Sequence, residues 1–267
     1  MKRLLIPLVM ILTIASTAAK STDSPTMTDH PELAKAFSER NVDGAFVLLD
    51  VAANELHAVN PSRLAQRRFP ASTFKIANSL IALETGAVRD ENEIIPYGGK
   101  PQPVKAWERD MSMRAAVRVS NVPVFQELAN RIGADAYAQW LEKLDYGNRM
   151  TGGNKEAFWL RGPLEISPLE QVEFVAALAR GTLPASSENQ ATVRDMLLIE
   201  RRGAATLYGK SGWSTSTNPQ IGWWVGWIEH GEAIFVFALT IDVADRSDVD
   251  QREPLVRALL KALDVYG

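Results

Sequence analysis

Ser72 and Lys75 stand three residues apart in "PASTFKIANSL" (residues 70–80), a stretch of mostly small and apolar residues in which Lys75 is the one cation. On a helix this spacing puts hydroxyl and amine on the same face, one turn apart. A serine hydroxyl is a weak nucleophile until a base takes its proton. An ordinary lysine cannot be that base, because an amine with a reference pKa of about 10.4 is protonated at neutral pH. Burial among Phe74, Ile76, Ala77 and Leu80 would disfavour the cation and lower that value. A neutral amine can accept the serine proton, or react with carbon dioxide to give a carbamate. The carbamate is the better base near neutrality and needs a polar partner for its oxygens. Pro70 and Ala71 precede Ser72, which puts the serine at a helix N-terminus, where free N–H groups and the positive dipole end favour developing negative charge. Alone, Ser-x-x-Lys is weak: a chain this long holds about one such match by chance, and a surface lysine with its stem packed on the helix is the ordinary reading.

Three later segments carry complementary chemistry. "SNV" (Ser120, Asn121, Val122) opens a helical pattern, and on that ground alone Ser120 is an N-cap. "YGN" (Tyr146, Gly147, Asn148) reads as a turn. "KSG" (Lys210, Ser211, Gly212) lies in a strand-like segment, where a cation, a hydroxyl and a bare backbone could line a substrate edge; the competing reading is a strand that ends in a polar turn.

The elements that must position these residues follow from the pattern. "PELAKAFSER" is a short helix, and "GAFVLLDVAANELHAV" reads as two strands joined by a turn at Ala52 to Asn54. From Ser72 to about Thr182 the pattern is mostly helical, with stops at Gly86, Gly133 and Gly181 and a Ser-x-x-Glu capping box at Ser167 and Glu170. The loops between these helices show no strand pattern. "ATLYGKSGW", "IGWWVGWIEH" and "EAIFVFALTID" read as strands, and a last amphipathic helix carries Leu255, Leu259 and Leu263 on one stripe. Gly222 and Gly226 share a face with Trp224, which predicts a close backbone or helix approach there. The expected fold is α+β: an antiparallel sheet made from the N- and C-terminal strands, flanked by helices, with a mostly helical region at roughly 82–182 inserted between sheet regions 30–81 and 183–267.

Composition narrows the function. Hydrophobic residues make up 46% and charged residues 23% of the 267-residue chain, with a formal net charge of -3, so nucleic acid and anionic membrane surfaces are not expected partners. Lys2 and Arg3, an apolar run from Leu4 to Ala15 and small residues to Ala19 read as an export signal over 1–19, removed after Ala18 or Ala19. That run is shorter than the roughly 20 residues a spanning helix needs. The catalytic domain is then 20–267, free in the periplasm and without membrane attachment. The chain has no cysteine, hence no disulfide and no thiolate metal site, and its three histidines (His30, His57, His230) have no partners at ligand spacing. "YGGKPQ" (97–102) lacks the upstream glycine and the Ser or Thr of a phosphate loop.

In this order S-T-F-K, S-N-V, Y-G-N and K-S-G resemble the motif set of the class D serine β-lactamases, the oxacillinases, which is related to the S-x-x-K, S-D-N and K-T-G set of class A enzymes and penicillin-binding proteins. The flanks "FWL" (158–160), "PQIGWWVGW" and "QRE" (251–253) extend the likeness from the signal to the final helix. The resemblance implies the serine β-lactamase and penicillin-binding-protein fold, acylation of Ser72 by a β-lactam, and N-carboxylation of Lys75. Carbon dioxide is consumed in that modification; no other cofactor and no metal are implied. It further implies that Trp159 donates its indole N–H to the carbamate and that Val122 is an apolar lid over the lysine. Ser120 and Lys210 would pass a proton to the departing ring nitrogen. Ser211, Gly212 and Arg252 would bind the substrate carboxylate, with Arg246 as the second candidate arginine, and the backbone N–H groups of Ser72 and Trp213 would form the oxyanion hole. Ser211 stands where many members have threonine, which keeps the hydroxyl. Two other outcomes remain open for such a chain: a D,D-peptidase that deacylates slowly, and an antibiotic sensor that stays acylated. Oligomeric state and preference among penicillins, cephalosporins and carbapenems are not written in the motifs.

Overall fold

Phe46, Val47 and Leu48 are apolar at consecutive positions, a run without alternation that suits a strand covered on both faces. The computed structural model, which describes residues 24–266, bears this out. The expected export signal at 1–19 lies outside the described residues. Strands β1 (Thr26–Asp29), β2 (Gly44–Asp50) and β3 (Glu55–Val59) come from the N-terminal part. A short pair follows, β4 (Ile94–Ile95) and β5 (Met111–Ser112), and then β6 (Leu198–Arg202), β7 (Ala205–Ser214), β8 (Gln220–His230) and β9 (Ala233–Val243). Seven of these form one sheet in the order β1-β3-β2-β9-β8-β7-β6. Every pairing in it is antiparallel except β1 with β3, which is parallel. The N-terminal β2 therefore lies inside the sheet, with Val47 opposite Ala238 of β9.

Period-two alternation sends successive side chains to two separate cores. Ala45, Val47, Trp223, Val225, Trp227, Val236 and Ala238 face the larger one. There they meet the inserted helices: α2 (Lys75–Glu84), α3 (Met113–Arg118), α4 (Val122–Ile132), α5 (Ala134–Lys143), α6 (Phe158–Arg161), α7 (Pro168–Ala179) and α8 (Ser187–Met196). The opposite face carries Phe46, Leu48, Trp224, Ile228, Phe237 and Leu239. It is covered by α1 (Lys35–Ser38) through Phe37 and by α9 (Arg252–Ala262) through Leu255, Val256, Leu259 and Leu260. Each of those α9 side chains is fully buried, worth about 2 kcal/mol relative to exposure. The close approach predicted at Gly222 is made by β9 and α9 together, since a Cβ there would lie 2.8 Å from Ile241 Cγ1 and 3.1 Å from Arg252 Cδ.

α7 crosses the sheet against β2, β8 and β9 and opens with the expected capping box: Ser167 Oγ accepts from the Glu170 N–H, and Glu170 Oε2 accepts from the Ser167 N–H. The pattern falls short in four places, one of them β6, whose mostly polar residues gave no strand signal. The β4–β5 pair lies among loops expected to hold no strand. Helix continues past 182 as α8, whose sequence is so polar that Gln190, Val193 and Met196 alone are buried. The stretch before His30 contains β1, all four of whose residues are exposed, so no apolar signal marks it.

Candidate active site

Ser72 sits in a buried 3-10 turn, Ala71–Phe74, that runs directly into α2. The turn is held from three directions. Trp223 of β8 donates its indole N–H to the Phe69 carbonyl at 3.0 Å. The Pro70 carbonyl accepts from the Thr73 N–H at 3.1 Å and from the Thr73 hydroxyl at 2.7 Å. On β7, a side chain at Gly212 would meet Pro70 O at 3.0 Å and Thr73 Cγ2 at 3.1 Å, so only bare backbone lets strand and turn meet. Within this clamp Ala71 adopts φ +49, a left-handed conformation that costs a non-glycine residue about 1–2 kcal/mol.

Lys75, 1% exposed, has its Nζ 2.9 Å from Ser72 Oγ, and the serine itself is 9% exposed. Burial, and then the nearby cation Lys210, hold the Lys75 amine well below the usual lysine range. The Phe125 ring lies 5.1 Å from Nζ and forms the apolar wall on that side. Ser120 lies between α3 and α4 with φ +54. Its expected role as N-cap is taken by Asn121, whose Oδ1 accepts from the Val124 N–H at 3.0 Å, so the Ser120 hydroxyl is free for Lys210, whose Nζ donates to it at 2.9 Å. Lys210 also donates to the Ser211 carbonyl, and burial, then the Arg252 charge, lower it to about 7. Two hydroxyl–amine pairs thus face one another through the field that couples their amines.

β7 has an unpaired edge here. β6 pairs only with Ala205 to Tyr208, and the last bond on that side runs from the Gly209 N–H to the Leu197 carbonyl. By strand alternation the N–H groups of Ser211 and Trp213 lie on the same edge, with no strand beside them. Arg252 reaches this stretch from the start of α9 and donates through Nη1 to the Gly212 carbonyl at 2.5 Å; burial lowers it to about 10. A cavity of roughly 330 Å³ opens along the edge between Lys210, Ser211, Arg118, Ile199, Asp250 and Arg252. Arg246, the second candidate, is exposed, and its guanidinium lies 5.6 Å from the Trp213 ring. The Trp213 indole N–H is bound to Gln220.

Trp159 of α6 is fully buried against Phe74, ring centroids 5.6 Å apart, and its indole nitrogen has no hydrogen-bond partner. An orphan donor in an aromatic core costs about 1–3 kcal/mol unless an acceptor reaches it. Val122, at the first turn of α4, is half-buried; one turn later the Phe125 ring lies against Lys75, which an apolar helix position gave no sign of. Y-G-N is the expected turn, pinned by Asn148, which donates to the Pro163 carbonyl and accepts from the Glu165 N–H. No group of three His, Asp or Glu side chains able to hold a metal occurs among the described residues.

Residues 44–261 match the family model of the penicillin-binding-protein transpeptidase domain. The chain is 36% identical to Beta-lactamase OXA-19 of Pseudomonas aeruginosa over 95% of both chains, and 36% identical to Beta-lactamase OXA-48 of Klebsiella pneumoniae over 84% of this chain and 85% of that one. Among solved structures, FUS-1 (OXA-85), a class D β-lactamase from Fusobacterium nucleatum subsp. polymorphum, superposes with a TM-score of 0.87 at 36% identity, covering 90% of this chain and all of that one.

Proposed function

Because the chain belongs to the class D β-lactamases, we propose that it hydrolyses the β-lactam amide of penicillin-type antibiotics through an acyl-enzyme on Ser72, and so confers resistance. The observation that carries this reading is the 2.9 Å contact between Ser72 Oγ and a wholly buried Lys75 Nζ. Ser72 Oγ attacks the lactam carbonyl carbon while its proton passes to the base at Lys75. The backbone N–H groups of Ser72 and Trp213 stabilise the oxyanion, a contribution of about 3 kcal/mol to the barrier in comparable sites. As the ring C–N bond breaks, the nitrogen takes a proton from Ser120, which is resupplied by Lys210. Ser211, Gly212 and Arg252 anchor the substrate carboxylate at the β7 edge; Arg252 offers the planar fork that suits it. Water then attacks the ester carbonyl and Ser72 recovers its proton.

Lys75 and Trp159 would hold the carboxyl group of the modified lysine, which, when present, supplies an oxygen base that is unprotonated near neutrality. A buried amine held well below the usual lysine range and an unsatisfied indole donor both support this. The mature enzyme is proposed to be periplasmic; no helix among the described residues is long and apolar enough to cross a membrane.

Intact-mass spectrometry after mixing with benzylpenicillin, alongside hydrolysis rates for penicillins, cephalosporins and carbapenems, tests the reading. A transient adduct on Ser72 followed by free enzyme is expected. An adduct that persists for hours would make the chain a sensor or a slow peptidase, and no adduct would overturn Ser72 as nucleophile.

A further inference from the structure

Tyr146 of Y-G-N takes no part in the chemistry above, yet it is fully buried behind the nucleophile. Its ring packs edge-on against Phe74 at 5.5 Å and Phe174 at 4.9 Å. Phe74 follows Thr73, and Phe174 lies one turn beyond Gln171 on α7, so the phenol is delivered to the place where those two polar side chains meet. Gln171 and Thr73 are both wholly buried. Gln171 Nε2 donates to Thr73 Oγ1 at 2.8 Å, and Thr73 Oγ1 donates to Pro70 O at 2.7 Å. The Tyr146 hydroxyl and Gln171 Oε1 are the two unsatisfied atoms of this group, and the side chains that bear on the phenol are those of Thr73 and Gln171, with the Glu170 carboxylate acting on it through its charge.

Proton bookkeeping gives this group one direction. Thr73 has a single hydroxyl proton, spent on Pro70, so toward Gln171 it can only accept; the amide must present Nε2 to it and Oε1 away from it, and the tyrosine hydroxyl is the remaining donor. We propose that Tyr146, Gln171 and Thr73 form a buried hydrogen-bond chain that grips the Pro70 carbonyl and thereby fixes the left-handed hinge at Ala71 from which Ser72 presents its hydroxyl. They are positioning residues, and Y-G-N acts on the nucleophile through helix α7 rather than on substrate. The strain at Ala71 supplies the reason: φ +49 persists only where surroundings enforce it, and the Pro70 carbonyl is the group immediately upstream of that residue. This rests on the reading of Ser72 as the acylated residue.

Stopped-flow acylation with a chromogenic cephalosporin, resolved into the dissociation constant of the first complex and the saturating acylation rate, tests it on Thr73→Val, Thr73→Ser, Gln171→Met, Tyr146→Phe and the Gln171→Met/Tyr146→Phe double variant. Misaiming a nucleophile by about 1 Å costs up to about 100-fold. The saturating rate should fall about tenfold or more in Thr73→Val and Gln171→Met and several-fold in Tyr146→Phe, with initial binding unchanged. Thr73→Ser should restore it to within about twofold, and Tyr146→Phe should add nothing once Gln171 is changed. Retained rates in folded variants, equal losses in Thr73→Val and Thr73→Ser, or multiplying effects would overturn the chain. If Gln171→Met does not fold, the Thr73 pair and Tyr146→Phe decide. A wild-type protein that never acylates would refute the reading of Ser72 and the inference with it, whereas normal wild-type acylation with unimpaired variants refutes the inference alone.

Discussion

Trp159 holds an indole donor without an acceptor beside the residue that precedes Lys75. Phenylalanine there keeps the aromatic packing and deletes only the donor. A hydrogen bond to a charged group is worth about 1.5–3 kcal/mol, so Trp159→Phe should slow product release at least about tenfold, leave some acylation, and let the adduct accumulate in intact-mass spectra. Added bicarbonate should raise turnover under acidic conditions in the wild type more than in the variant. Lys210 gives a second prediction. Its amine titrates at about 7 when folded and at about 10.4 when unfolded. Between those values the unfolded chain binds more protons, so its contribution to stability rises with pH through that window and is lowest below it. Urea midpoints should climb from pH 7 to pH 9, by on the order of 2 kcal/mol in unfolding free energy. Lys210→Met should flatten the rise. At this scale Ser72 and Lys75 drew notice because a lone amine among apolar residues is unusual, whereas Ser120 and Lys210 were marked only by the likeness of their motifs to the class D set. Phe125 was not, because one more apolar residue on a helix carries no mark of what it covers.

α7 ties the fold to the nucleophile: its capping box fixes where it starts, and Gln171, one residue beyond that box, faces Thr73. Ser167→Ala removes one reciprocal bond and should cost about 1 kcal/mol in urea unfolding, with a smaller loss of acylation rate than Gln171→Met. The helix was legible from end to end because its signals are local: Ser167, Glu170 and Gly181 act within one turn of where they stand. β6 and α8 were not, since their residues are polar and their places are set by distant partners, β6 by pairing with β7 and α8 by packing on α2. The link from Tyr146 to Ser72 was hidden for the same reason: it joins three segments that are neighbours only once folded.

The molecule as a whole is a sheet with a core on each face, and its two edges differ in consequence. β1 is an exposed edge strand, so a chain lacking residues 24–29 should keep its acylation rate and lose less than about 1 kcal/mol of stability. A chain lacking α9 would bare Trp224, Phe237 and Leu239 and should appear in size exclusion as aggregate rather than monodisperse protein. β2, by contrast, has β3 on one side and β9 on the other. During synthesis that strand leaves the ribosome well before its second neighbour, β9, has been made. Until β9 has been made the sheet behind the hinge at Ala71 is incomplete, and a product that stops short of it would be unable to blunt an antibiotic.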